Sequence, residues 1–168
     1  MYKRILRLLI ITTIFLLGAV SISYADTFTD EEGITWTYDG TAITGCNIPE
    51  DGELVIPDEI DGFKMTAISQ KAFYGTALEK VVIPGSIETI GISAFERCSN
   101  LTEVVLNDGL KEIGLNSFSS TAITEIYIPK TVTSIKHLRR TNIACFALQQ
   151  VGATLSSLGL PMPVLGLP

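Results

Sequence analysis

The hexapeptide Ile90-Gly91-Ile92-Ser93-Ala94-Phe95 has a near-copy on either side, Ile68-Ser69-Gln70-Lys71-Ala72-Phe73 before it and Ile113-Gly114-Leu115-Asn116-Ser117-Phe118 after it. Ile135 opens a fourth copy, and the leading isoleucines are 22, 23 and 22 residues apart. A unit that short cannot surround a core of its own. Its apolar side chains leave water only by stacking on those of the next unit, so the pattern predicts a mainly β solenoid in which each repeat is one coil.

Each coil is expected to carry a short strand with alternating inward residues: Leu54-Val55-Ile56-Pro57, Val81-Val82-Ile83-Pro84, Val104-Val105-Leu106-Asn107 and Ile126-Tyr127-Ile128-Pro129. Proline at a strand end removes a ladder donor and turns the chain. A second extended stretch precedes each Phe motif, as in Ile87-Glu88-Thr89-Ile90. A tight helical turn is then expected at Ala72-Phe73, Ala94-Phe95 and Ser117-Phe118, with the three phenylalanines stacked as an internal column and Leu78, Leu101 and Ile123 completing the inward sets. The first coil has extra residues around Asp58 to Lys64, which predict a surface loop. Ahead of the coils, Ile34-Thr35-Trp36-Thr37-Tyr38 and Thr41-Ala42-Ile43-Thr44 flank Asp39-Gly40, the signature of a tight β-hairpin. Trp36 and Tyr38 share one face of it, either as a ligand platform or as cover for the first coil; an open solenoid end needs cover, which favours the second.

Gly75-Thr76-Ala77-Leu78 and Cys98-Ser99-Asn100-Leu101, together with Ile90-Gly91, Ala94-Phe95 and Val81-Val82-Ile83-Pro84, resemble the BspA-like leucine-rich repeats. The likeness runs from about Gly33 to Ile135 and recurs in register over three copies. It implies a short leucine-rich-repeat solenoid with an N-terminal β-hairpin cap, exported to the cell surface or medium and used for adhesion or protein binding. The array is short for that family, and its last repeat breaks off. The expected division is a leader at 1–25, the capping hairpin at 26–53, repeats at 54–140 and an apolar C-terminal tail at 141–168.

The leader reads as a secretory signal, with Lys3, Arg4 and Arg7 ahead of an apolar run from Leu8 to Val20 and small residues at Ser23 and Ala25. The run is short of the ~20 residues a spanning helix needs. Without the leader the chain carries nine basic against 18 acidic residues. That balance argues against a nucleic-acid partner, because phosphate contacts need clustered Lys and Arg. At the far end, Arg139-Arg140 stand where a fourth Ala-Phe belongs, and Thr141 to Pro168 hold no charged residue. Three readings of that tail stand: a terminal segment packed over the last coil, a membrane-associated tail behind the basic run Lys136 to Arg140, or the product of a reading-frame change in a longer array.

Chemistry-bearing patterns are sparse. His137 is the one histidine, and no nucleophile elbow, zinc-helix motif, phosphate-binding glycine loop or paired-cysteine metal site is present. The expectation is therefore no enzyme, no cofactor and no resident metal; Asp58, Glu59 and Asp61 beside Gly62 could gather a calcium ion, though acidic loop residues are ordinarily just solvated. Of the three cysteines, Cys98 occupies the inward slot held by Thr76 and Thr121, while Cys46 and Cys145 lie at opposite ends of the array, so no structural disulfide is expected.

What remains is the outward side of the strand row. Alternation places Val55, Val82, Val105 and Tyr127 in one outward column and Lys80, Glu103 and Glu125 in a second beside it. An apolar stripe rimmed by charge suits a protein-binding face; β-branched residues also simply suit strands. The candidate partner is a protein on a host or neighbouring cell or in its matrix, with membrane contact confined to the tail. The alternative function is a structural spacer within a longer repeat protein.

Overall fold

A computed structural model describes residues 25–136. Twelve strands and no helix make up this stretch: β1 (Asp26–Thr29), β2 (Thr35–Asp39), β3 (Ala42–Cys46), β4 (Glu53–Val55), β5 (Glu59–Ile60), β6 (Phe63–Lys64), β7 (Ala67–Ile68), β8 (Lys80–Ile83), β9 (Thr89–Ile90), β10 (Glu103–Leu106), β11 (Glu112–Ile113) and β12 (Ser134–Ile135). Almost all of the leader, together with His137, Cys145 and the tail, lies outside the described residues.

The coils stack as a β-solenoid with two parallel ladders. The smaller sheet has the order β10-β8-β4, with Val55, Val82 and Val105 in direct register. The larger sheet runs β1-β2-β3-β7-β9-β11-β12, in which Ile68, Ile90, Ile113 and Ile135 are successive partners. The 22- and 23-residue spacing is therefore the length of one full circuit. The hairpin β2–β3 joins the larger sheet edge-on through parallel pairing of β3 with β7. Trp36, Tyr38 and Ile43 point from it into the core and are buried, which disposes of the ligand-platform reading. The indole N–H of Trp36 donates to Asp30 Oδ2 at 2.8 Å, so its polar end is satisfied while its ring is dry. The lead-in before this hairpin is itself a strand, β1, paired antiparallel to β2.

Between the sheets the phenylalanine column is continuous. Phe73 and Phe95 stack at 5.1 Å between ring centroids and Phe95 and Phe118 at 5.4 Å, nearly parallel and fully buried. Leu78, Leu101 and Ile123 are buried beside them. Cys98 is buried as expected; its Sγ donates to the Phe73 carbonyl of the coil before at 3.0 Å, a carbonyl that Thr76 Oγ1 also reaches at 2.9 Å. Burial pushes the Cys98 thiol above its ordinary pKa. Cys46 is pushed up to about 12, first by burial and then by the charge of Asp30. Both are free thiols.

Three expectations are corrected. The Ala-Phe segments are not helical turns but runs of overlapping β-turns, with bonds such as Ala72 N–H to Ser69 O at 3.3 Å and Tyr74 N–H to Lys71 O at 3.2 Å. Helix is excluded because Lys71, Ser93 and Asn116 hold φ near +57° at the same place in each coil. That twist turns alternate N–H groups toward the next coil, where Lys71, Phe73 and Gly75 donate to the carbonyls of Ile92, Ala94 and Glu96 at 2.8–3.1 Å. Backbone donors along this segment thus alternate between partners within the coil and partners in the next one. The extra residues of the first coil form the β5–β6 hairpin, turned by Asp61 and Gly62, both at positive φ. Finally, 126–128 keeps the alternation of buried and exposed side chains, followed by a buried Pro129, without joining the smaller sheet's ladder.

Candidate functional site

The smaller sheet presents one outward surface, and strand alternation decides what stands on it. Leu54, Val81 and Val104 point inward and are buried, as are Ile56, Ile83 and Leu106. The residues between them point out. Val55 is 65% exposed, Val105 36% and Tyr127 60%, while Val82, in the middle of the ladder, is half-buried by its neighbours. The predicted apolar column is thus assembled over three hydrogen-bonded strands for Val55, Val82 and Val105, while Tyr127, at the equivalent place in the next repeat, is exposed but stands outside that ladder.

Beside it runs a charged column. Glu53, Lys80 and Glu103 are successive partners in the ladder, and Glu125 is exposed on the fourth coil. Lys80 Nζ lies 3.1 Å from Glu103 Oε1. The hydrogen bond from Lys80 to Glu103 holds the ammonium above its ordinary pKa, helped by the charges of Glu103 and then Glu53. Glu53 was missed in the sequence because the outward set was begun at Val55; the alternation Glu53-Leu54-Val55 contains it.

Other exposed apolar side chains form no column of that length. Phe63 sits on the β5–β6 hairpin, and Ile92 and Leu115 hold matching places on the turns of two adjacent coils, where the coil before them has Gln70. Tyr74 is flanked by Lys71 Nζ and Arg97 Cζ at 5.6 and 5.7 Å from its ring centre, so its face is already occupied. Asp58, Glu59 and Asp61 are spread over the β5–β6 hairpin, and among the described residues no group of three or more His, Cys, Asp or Glu side chains is placed to hold a metal ion. No described helix is long and apolar enough to cross a membrane. The arrangement can bury a partner's surface; it offers no acid, base and nucleophile converging on one point.

Comparison with known proteins agrees with this geometry. The family model for the BspA type leucine rich repeat region matches residues 62–148 in six copies. A crystal structure of a leucine-rich repeat protein from Bacteroides capillosus is similar at 28% identity and a TM-score of 0.61, over 70% of this chain and 94% of that one. A leucine rich cell surface protein from Faecalibacterium prausnitzii is similar at 25% identity and a TM-score of 0.55, over 67% of this chain and 33% of that one. The search of curated proteins gave no match.

Proposed function

The chain belongs to the BspA-type leucine-rich-repeat family, and from that premise we propose that it is an exported, non-catalytic recognition module that binds a protein on a host or neighbouring cell or in its matrix. The observation that carries this reading is the outward column of Val55, Val82 and Val105, with Tyr127 exposed at the equivalent place in the next repeat. The neighbouring coils bury the inward side of each strand and leave this side to water, where an apolar stripe costs solvation unless something covers it. Tyr127 is its anchor, being large, exposed and of a residue type enriched among binding hot spots. Export is supported by the leader at 1–25 and by the surface location named for the Faecalibacterium relative.

The test replaces Tyr127 with Ser and Val105 with Lys and measures attachment of the purified protein to host cells and matrix proteins. Attachment falls at least tenfold on this reading, with circular dichroism unchanged. Equal attachment by variant and parent removes the face from the account and leaves the spacer role.

A further inference from the structure

The outward face of the smaller sheet has a repeat distance and a charge sign, and together they specify the shape of what lies on it. Adjacent strands of a sheet are about 4.8 Å apart, so the column from Val55 through Val82 to Val105 advances about 10 Å in two steps. A partner laid along that column must present an apolar side chain at a matching interval. An extended segment shows every second residue on one side, and four residues span about 13 Å, so it drifts out of step by a third of the distance. An α-helix advances 5.4 Å per turn, or about 11 Å in two turns, and its i, i+3/i+4 and i+7 positions form one apolar stripe. The helix keeps pace with the column, and a further turn carries it toward the next coil, which exposes Tyr127 at the equivalent place in its repeat. Its width, about 10 Å, spans both outward columns.

The second column fixes the charge. Glu53, Glu103 and Glu125 stand against Lys80 alone, and Lys80 is held by Glu103 at 3.1 Å. Two carboxylates remain beyond that pair, at the two ends of the column, with Glu79 and Asp51 exposed just before the strands. A helix flanking its apolar stripe with Lys or Arg meets them with complementary sign; an acidic helix is repelled.

We propose that the partner element bound by this face is a cationic amphipathic helix of about three turns, lying across the strands along Val55, Val82, Val105 and Tyr127. The inference rests on the recognition reading above and names the chemistry of its partner.

Three 14-residue peptides probe it against the full chain by fluorescence anisotropy. One repeats Leu-Lys-Lys-Leu-Leu-Lys-Leu twice and is amphipathic at the helical period; one alternates Leu and Lys and is amphipathic when extended; one replaces every Lys of the first by Glu. The helical cationic peptide binds at least tenfold tighter than either of the others, and its affinity falls as salt rises. Tyr127→Ser weakens it at least tenfold, and Glu53→Gln with Glu125→Gln together weaken it severalfold while circular dichroism stays unchanged. Equal affinity for the extended peptide overturns the helix, and equal affinity for the acidic one, or indifference to the two Glu→Gln changes, overturns the charge. Absence of binding by all three, with cell attachment still dependent on Tyr127, overturns this inference and leaves the face itself standing. Peptide binding indifferent to Tyr127→Ser contradicts the face as well.

Discussion

The two sheets of the solenoid share one core and differ in what they turn outward. At the residues in and flanking the larger sheet's strands the coil-to-coil neighbours are polar and satisfy one another: Thr41 and Thr66 share a hydroxyl hydrogen bond of 2.9 Å, Glu88 pairs with Lys111 at 2.8 Å, and Glu112 pairs with Lys136. On the smaller sheet the corresponding neighbours are Val55, Val82 and Val105, with Tyr127 beyond them, and a single ion pair stands alongside. Both sheets turn buried aliphatic residues inward and pair successive coils in parallel, so folding alone does not require the difference. A surface whose polar groups are already paired within the chain has little to offer a partner. A surface of uncovered apolar side chains gains by being covered.

The comparison breaks first if the two sheets do not share a core. Phe95 is stacked between Phe73 and Phe118, so Phe95→Ala leaves a cavity that flanking rings cannot close and costs about 3–5 kcal/mol. Against a total of ~5–15 kcal/mol for a domain, the variant should melt far below the parent, in one transition for both sheets. An unchanged midpoint would place Phe95 outside the core. A smaller effect tests the closeness of coils beside the larger sheet. A Cβ on Gly114 would stand 2.7 Å from both Gly91 C and Ile90 O, backbone atoms that cannot rotate away, so Gly114→Ala should cost ~1–3 kcal/mol, the usual penalty of overpacking. Denaturant titration measures it; no loss would mean the coils are further apart.

Ser117 changes stability in the other direction. Its hydroxyl is buried without a hydrogen-bond partner, where the sister coils carry Ala72 and Ala94. Ser117→Ala should therefore stabilise the chain by about 1 kcal/mol, the cost of an unsatisfied buried polar group. A lower midpoint would show that the hydroxyl has a partner. The smallest effect belongs to the paired surface of the larger sheet. The hydrogen bond from Lys111, and then its charge, hold Glu88 below the ordinary carboxylate range. A lowered folded-state pKa stabilises the fold above the unfolded value, and that contribution disappears as pH falls through the folded one. Glu88→Gln should accordingly lower the melting midpoint slightly at neutral pH and not at all in strong acid. A difference that grew on acidification would reverse the assignment.

Much of this was legible in the sequence because a solenoid repeats its evidence of inside and outside in every coil. The phenylalanine column, the inward Cys98, both strand rows and the β2–β3 hairpin all follow from periodicity. The turns did not, because Lys71, Ser93 and Asn116 adopt positive φ without a glycine to announce it; inter-coil hydrogen bonds, invisible in one repeat, impose it. β1 was hidden by its three polar residues, with Phe28 alone packing on the core. The β5–β6 hairpin was hidden by strands of two residues, too short for alternation to show. The outward positions were readable from alternation alone, Glu53 included although the set was begun at Val55, since the pattern fixes direction regardless of whether 126–129 completes its ladder.

One measurement bears most directly on the difference between the faces: attachment to host cells by two double variants, each altering one sheet's outward side. Val105→Lys with Tyr127→Ser changes the apolar column, and Glu88→Ser with Lys111→Ser changes the paired one. Both should stay folded, since solvent-facing substitutions usually shift stability by ~0.5 kcal/mol or less. The account predicts at least a tenfold loss of attachment for the first and none for the second. Equal attachment by the two variants, whether both retain it or both lose it, would contradict the claim that recognition belongs to the smaller sheet.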